Sequence, residues 1–81
     1  AQSYAARFAA KEAFLKALKT GWRGKISWHD IEIRNDELNA PFFVISGEAQ
    51  KLIDALGVTN IHLSISHTTE HSVANVIFEK A

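Results

Sequence analysis

SYAARFAAKEAFLKALK, residues 3–19, predicts one long helix, and the other elements can be placed by working outward from it. Alanine, leucine, lysine and glutamate, which favour helices, make up most of this stretch. Ser3 can cap the amino terminus and Gly21 can end the helix. A broad apolar arc is formed by Tyr4, Phe8, Phe14, Leu15 and Leu18. Because alanines fill most of the opposite side, we expect this helix to be largely buried.

A first hairpin follows the helix. Ile31 and Ile33 alternate with polar residues over 31–34, which is the period of a strand. A cluster of turn-forming residues occupies 35–40. Pro41 then opens an apolar run at 42–45, where a proline is tolerated at the start of a strand. The two runs are expected to pair.

A second helix and a second hairpin complete the chain. Ser46 can cap a helix with apolar residues at helical spacing, and Gly57 can end it. Residues 61–66 alternate as a strand, 67–71 form a polar loop, and 73–78 form the last strand. This order predicts an α+β fold with antiparallel hairpins packed on the long helix.

Length and composition limit the class of protein. The 81 residues, 47% hydrophobic and 22% charged, fit one small globular domain over residues 1–81. The absence of cysteine excludes disulfides, thiolate metal sites and a cysteine nucleophile. No stretch approaches the roughly 18 apolar residues that span a bilayer. Because the sequence starts at Ala1 and lacks methionine, we expect it to be the tail of a longer protein.

Charge is balanced in total but not along the chain. Residues 1–28 hold six basic residues against one acidic, whereas residues 29–81 hold three basic against eight acidic. A basic first third suits a phosphate-bearing ligand or an acidic partner. The alternative is that the opposite charges simply meet in the folded protein.

Three of the five charged residues on the predicted helix are candidates for a functional site. Lys11 falls within the apolar arc, Glu12 lies at its edge, and Lys16 is one turn beyond Glu12. One interpretation is a surface ion pair between Glu12 and Lys16. The other is a carboxylate that holds Mg²⁺ and an ammonium that faces phosphate, which requires further Mg²⁺ ligands from elsewhere.

The segment RFAAKEAFLKA, residues 7–17, resembles the helix motif of the 4′-phosphopantetheinyl transferases, in particular the bacterial holo-[acyl-carrier-protein] synthase type. The similarity continues, in order and at matching spacing, through Thr20-Gly21, Asp30-Ile31-Glu32-Ile33, Asn35-Asp36, Pro41 and the stretch IHLSISHT at 61–68. It therefore covers essentially the whole chain.

The resemblance implies a reaction and a set of site residues. Such enzymes move the 4′-phosphopantetheine group of coenzyme A, the co-substrate, to a serine of apo acyl carrier protein, and release adenosine 3′,5′-bisphosphate. Glu12 matches the Mg²⁺ ligand and is our candidate for the catalytic proton acceptor, either directly or through a metal-bound water. Lys16 matches a catalytic lysine near the coenzyme A phosphates, and Lys11 the lysine beside the metal ligand. His67 and Thr68 match a loop that contacts coenzyme A near its 3′-phosphate or adenine.

The resemblance also implies a homotrimer, a cytoplasmic location and a role in fatty acid biosynthesis. The family's second metal ligand is an aspartate on an amino-terminal strand, and we expect that strand to be missing from this sequence. Lys19 occupies a position where relatives often have glycine, which adds charge near the ligand.

Other interpretations of single residues remain. His62, His67 and His71 match no zinc spacing, and no cysteine assists them. Strand alternation alone would turn His67 to the core, whereas the resemblance directs it to a ligand. Ser64 and Ser66 lack the sequence context of a serine hydrolase nucleophile.

Two further alternatives concern partners. Trp22 and Trp28, beside Arg23 and Lys25, could stack on nucleic acid, but packing at the junction of helix and hairpin is favoured. We therefore expect neither a nucleic-acid nor a membrane partner. A non-catalytic module that keeps the fold and binds a nucleotide or carrier protein is the alternative to an enzyme.

Overall fold

The fold is α+β, as expected, in a computed structural model that describes residues 3–18 and 26–80. The elements, in chain order, are α1 (Tyr4–Leu18), a short 3₁₀ turn (Trp28–Asp30), β1 (Ile31–Asn35), β2 (Pro41–Ile45), α2 (Gly47–Ala55), β3 (Val58–His67) and β4 (Ser72–Lys80). The predictions made for Lys19, Thr20, Gly21, Trp22, Arg23 and Lys25 lie outside the described residues.

The first hairpin forms as predicted. β1 and β2 pair antiparallel, with Ile31 opposite Ile45 and Ile33 opposite Phe43. The side chain of Asp36 organises the turn, since its Oδ1 accepts from the backbone N–H groups of Leu38 and Ala40. Asn39 sits at φ 63°, in the left-handed region that asparagine tolerates better than most residues.

The second hairpin is longer than the sequence pattern indicates. β3 and β4 pair antiparallel from Val58–Lys80 to His67–Ser72, with one irregularity between Val58 and Asn60. Odd-numbered residues of β3 from Ile61 to Ile65 are half-buried and even-numbered ones are exposed. The prediction rested on the alternation of apolar and polar residues. Backbone hydrogen bonds between the two strands continue beyond the residues that show this alternation.

The expectation that α1 is largely buried is wrong. Its buried residues repeat every four positions, at Ala6, Ala10, Phe14 and Leu18, whereas Tyr4 is 78% exposed and Phe8 is 46% exposed. The helix packs mainly against β4. We attribute the choice of face to size, because the methyl groups of Ala6 and Ala10 allow the helix backbone to approach the sheet closely.

Phe14 is the centre of the core. Its ring meets the rings of Phe43 and Phe78 edge to face, at 5.1 and 5.3 Å between centroids. The same cluster contains Leu18 and Ile26, Ile31 of β1, and Ala49 and Ile53 of α2. One aromatic side chain therefore joins α1 to both hairpins.

The two helix caps differ from each other. Ser3 caps α1 as predicted, since its Oγ accepts from Ala6 N–H at 3.1 Å. Ser46 stands at the N-cap position of α2, but its side chain makes no capping hydrogen bond, contrary to the prediction. Instead, the Ser46 backbone N–H donates to the Asp30 carbonyl at 3.0 Å, which ties α2 to the 3₁₀ turn. Neither helix in this part of the chain is long and apolar enough to cross a membrane.

Candidate functional site

The predicted site residues Glu12 and Lys16 lie on a face of α1 that also borders a cavity. Ala5, Ala9, Glu12 and Lys16 follow one another at helical spacing, on the side opposite the buried row. A cavity of about 490 Å³ lies between the first part of this face, at Ala5 and Ala9, and Glu70–Ser72 of the loop that joins β3 to β4. This helix face and the loop between β3 and β4 carry the two sequence motifs. Both segments therefore border the same cavity.

Glu12 and Lys16 do not form an ion pair, so the surface-pair interpretation is wrong. The ion pairs found in residues 3–18 and 26–80 are Arg34–Glu32, Lys51–Glu48 and His62–Glu79. Glu12 is half-buried and Lys16 is exposed. Neither side chain hydrogen-bonds to another described residue, so both are available to a ligand.

Lys11 has a different environment from Glu12. Its Nζ donates to the Trp28 carbonyl at 3.2 Å and lies 5.0 Å from the centroid of the Trp28 ring. Desolvation, and secondarily the charge of Arg7, lower the pKa of Lys11, while Glu32 opposes the shift. Lys11 therefore joins α1 to the 3₁₀ turn, about 100° around the helix from Glu12.

Aromatic rings continue from Lys11 along α1. The ring centroids of Phe8 and Trp28 are 5.5 Å apart, and those of Tyr4 and Phe8 are 6.4 Å apart. With Arg7 and Lys11, these rings line a second cavity of about 220 Å³. Trp28 thus packs where the helix meets the first hairpin, in agreement with the favoured interpretation.

His67 is exposed, so the interpretation as a core histidine is wrong. It is the last residue of β3 and lies beyond the half-buried residues of that strand. Its Nδ1 is 3.0 Å from Oγ of Ser72, the residue opposite it in β4. Ser72 also lines the 490 Å³ cavity, so the pair lies at the edge of that opening.

Thr68 closes the loop between β3 and β4. Its Oγ1 accepts from the backbone N–H of His71 at 2.9 Å and of Glu70 at 3.4 Å, and donates to the His71 carbonyl at 3.2 Å. The Thr68 N–H donates to the same carbonyl at 2.8 Å. The hydroxyl of Thr68, a residue that the resemblance assigns to a coenzyme A contact, is therefore engaged in shaping the loop.

The structure does not bring the three histidines together. His62 lies on the other face of the hairpin from His67, and its Nε2 is 3.1 Å from Glu79 Oε1. Asn60 donates to the same oxygen at 3.1 Å, and these hydrogen bonds, His62 first, lower the pKa of Glu79. Within the described ranges, no three side chains of metal-ligating type converge.

Ser72 and Asp30 are contacts that sequence reasoning missed. Ser72 could have been found by counting back from the loop, because a hairpin places residues equally distant from the turn opposite each other. Asp30 had a weaker signal, the Ser27-x-x-Asp30 spacing of a capping box, which the structure forms.

The family model that matches this chain is that of the 4′-phosphopantetheinyl transferase superfamily, over residues 1–76. The chain is 52% identical over 79 residues to a holo-[acyl-carrier-protein] synthase of Trichlorobacter lovleyi, covering 98% of this chain and 63% of that protein. It is 50% identical over 80 residues to one of Geotalea daltonii, covering 99% and 64%. The chain thus spans less than two thirds of the length of these relatives.

Solved structures of the same type share the fold. A holo-[acyl-carrier-protein] synthase of Neisseria meningitidis matches with a TM-score of 0.83 and 40% identity, over 93% of this chain and 60% of that one. The Helicobacter pylori enzyme, solved in complex with coenzyme A, matches with a TM-score of 0.77 and 33% identity, over 93% and 63%.

Proposed function

The chain belongs to the 4′-phosphopantetheinyl transferase superfamily, and we propose that it takes part in the Mg²⁺-dependent transfer of 4′-phosphopantetheine from coenzyme A to a serine of apo acyl carrier protein. The second product is adenosine 3′,5′-bisphosphate. In this proposal the reaction serves fatty acid biosynthesis in the cytoplasm, as the family resemblance implies.

One observation supports a specific chemistry in addition to membership of the family. Glu12 and Lys16 are one helical turn apart, yet they bond neither to each other nor to another described residue. An ion pair at this spacing would add about 0.2–0.5 kcal/mol, and the half-buried Glu12 carboxylate loses hydration without gaining a partner among the described residues. Two charges without a partner among the described residues, on the helix face whose first residues border the cavity, favour a ligand that carries phosphate and a cation.

Glu12 fits as one ligand of Mg²⁺. Its carboxylate is half-buried and free of hydrogen bonds to described residues, and Mg²⁺ is held in proteins by one or two carboxylates together with substrate phosphate oxygens and water. Bound there, Mg²⁺ would offset the negative charge of the pyrophosphate. Since no three ligating side chains converge in residues 3–18 and 26–80, the remaining ligands are expected from coenzyme A, water and groups outside those residues.

The proposed roles of the side chains follow from the reaction. The carrier serine oxygen forms a bond to the phosphorus next to pantetheine, the bond from that phosphorus to the bridging oxygen breaks, and adenosine 3′,5′-bisphosphate leaves with the electron pair. Glu12 accepts the serine proton. The Lys16 ammonium offsets the charge that develops on the phosphoryl oxygens. Lys11, His67 and Thr68 stay predicted contacts of coenzyme A.

We further propose the homotrimer that the resemblance implies. Val73 and Ile77 on the outer face of β4 are 50% and 64% exposed, and burying such side chains is favourable. Sedimentation velocity tests this assembly, since a monomer at micromolar concentration would contradict it.

Transfer of radiolabelled phosphopantetheine tests the function. The protein as its gene encodes it is incubated with labelled coenzyme A, apo acyl carrier protein and Mg²⁺, and the label on the carrier protein is followed. Incorporation that stops when Mg²⁺ is chelated is expected. Binding of coenzyme A without any incorporation would instead identify a non-catalytic binding module.

A further inference from the structure

The pair His67–Ser72 has a geometry that the proposed function does not use. The two residues are opposite each other at the end of the β3–β4 hairpin, and Oγ of Ser72 is 3.0 Å from Nδ1 of His67. Ser72 is half-buried, whereas His67 is exposed. Nδ1 of His67 is therefore engaged by the protein, and Nε2 has no hydrogen-bond partner among the described residues, so a ligand can bind there.

The backbone around the pair is held in place. The two strands pair up to His67 and Ser72, and Thr68 closes the loop between them through its hydrogen bonds to His71. The hydroxyl of Ser72 can thus act on the imidazole from a defined position. Such a contact to one ring nitrogen decides both the ring orientation and which nitrogen carries the proton.

We propose that Ser72 is a positioning residue whose hydroxyl donates a hydrogen bond to Nδ1 of His67 and so holds the neutral imidazole with its proton on Nε2. A phosphate oxygen is an acceptor, so a ring that presents Nε2–H can bind it without first becoming charged. The reverse arrangement, Nδ1–H donated to Ser72, would direct a lone pair at the phosphate. The inference rests on the proposed function only in the identity of the ligand, a phosphate group of coenzyme A.

Few other titratable groups are placed to compete for the imidazole. Glu70 and His71 of the loop and Tyr4 of α1 line the cavity at whose edge the pair lies. None of these three side chains hydrogen-bonds to His67. Ser72 is the hydrogen-bond partner of the ring among the described residues.

Ser72→Ala, Ser72→Thr and the control Ser64→Ala test the inference in the protein as its gene encodes it. Ser64 is exposed on the other face of β3 and its hydroxyl bonds to no other described residue. Long-range ¹H–¹⁵N spectra of the neutral imidazole report the tautomer directly. We expect Nε2–H in the parent protein, a shift toward Nδ1–H in Ser72→Ala, and the parent spectrum in Ser72→Thr and Ser64→Ala.

Kinetics give the second readout. Ser72→Ala is expected to raise KM for coenzyme A on the order of fivefold, as for a lost hydrogen bond, with kcat within about twofold of the parent. Ser72→Thr, which keeps the hydroxyl, should restore KM. Circular dichroism checks that each variant is folded.

Three results would overturn the inference: an Nδ1–H tautomer in the parent protein, a Ser72→Ala spectrum equal to the parent's, or an unchanged KM in folded Ser72→Ala. A parent protein that transfers nothing would refute the proposed function instead. The tautomer spectra would still decide whether Ser72 positions the ring.

Discussion

The carboxylate of Asp30 lies directly against Gly47, the first residue of α2. A β-carbon at residue 47 would come 2.7 Å from Asp30 Oδ1 and 2.9 Å from Cγ, and Gly47 has φ +59°. Asp30 is itself held by the N–H of Ser27, which donates to its Oδ2 at 3.1 Å. The start of α2 therefore depends on a residue without a side chain.

Gly47→Ala is expected to destabilise the protein by about 2–3 kcal/mol, because it combines a left-handed backbone with a contact that Asp30 must relieve. Gly57→Ala is the matched control. Gly57 has φ +74° but nothing within 4 Å of an added β-carbon, so only the backbone cost of about 1–2 kcal/mol applies. Urea unfolding measures both, and equal losses would contradict the role given to Asp30.

Glu12→Gln should reduce transfer of phosphopantetheine by roughly 100-fold or more, since it removes the proposed proton acceptor and Mg²⁺ ligand. Stability should not fall, because the lost charge is half-buried and has no partner among the described residues. Glu48→Gln, which removes a carboxylate paired on the surface with Lys51, serves as control and should keep full activity. A Glu12→Gln protein that turns over normally would refute the site.

Lys16→Met should weaken catalysis through charge and not through packing. Lys16 is exposed, so unfolding should change by less than about 0.5 kcal/mol. The rate of transfer should fall by roughly 10-fold or more, as the phosphoryl oxygens lose a nearby cation. Lys51→Met is the comparison, an exposed lysine on α2. Equal activity of the two variants would exclude Lys16 from the site.

The contact between His62 and Glu79 predicts an acid-dependent contribution to stability. Hydrogen bonds from His62 and then Asn60 hold the pKa of Glu79 below its ordinary value near 4.5. A carboxyl whose pKa is lower in the folded state stabilises the protein above its unfolded pKa and loses that contribution as pH falls through the folded pKa. The stabilisation should therefore be complete at neutral pH, begin to fall near pH 4.5 and be lost as the pH drops through the lower pKa of the folded protein.

His62→Ala tests this contact. NMR titration should show the pKa of Glu79 moving up toward its ordinary value, while Asn60 still holds part of the shift. Unfolding of the variant should depend less on pH in the acid range than unfolding of the parent. An unchanged Glu79 pKa would show that the hydrogen bond to His62 does not form in solution.

Much of the fold was predictable because it depends on local pattern. The alternation at Ile31 and Ile33, the run that Pro41 opens, and the helical spacing after Ser46 each specify an element through neighbours a few residues away. The helix motif at 7–17 likewise pointed to the family that the comparisons show. Boundaries were less accurate, as for β3, because ladder hydrogen bonds extend strands past their apolar residues.

The features that the sequence pattern could not predict depend on contacts between residues that are far apart in the sequence. Tyr4 and Phe8 are as apolar as Phe14, yet α1 buries Ala6 and Ala10, because the fit to β4 favours small side chains at close approach.

Residue types and spacing predicted the elements and placed Glu12 and Lys16 one helical turn apart, and the helix motif at 7–17 pointed to the family. Long-range packing determined the buried face of α1 and placed Lys11 against Trp28. The physical reason is that periodicity acts within a few residues, whereas these contacts exist only after separate segments have folded against each other.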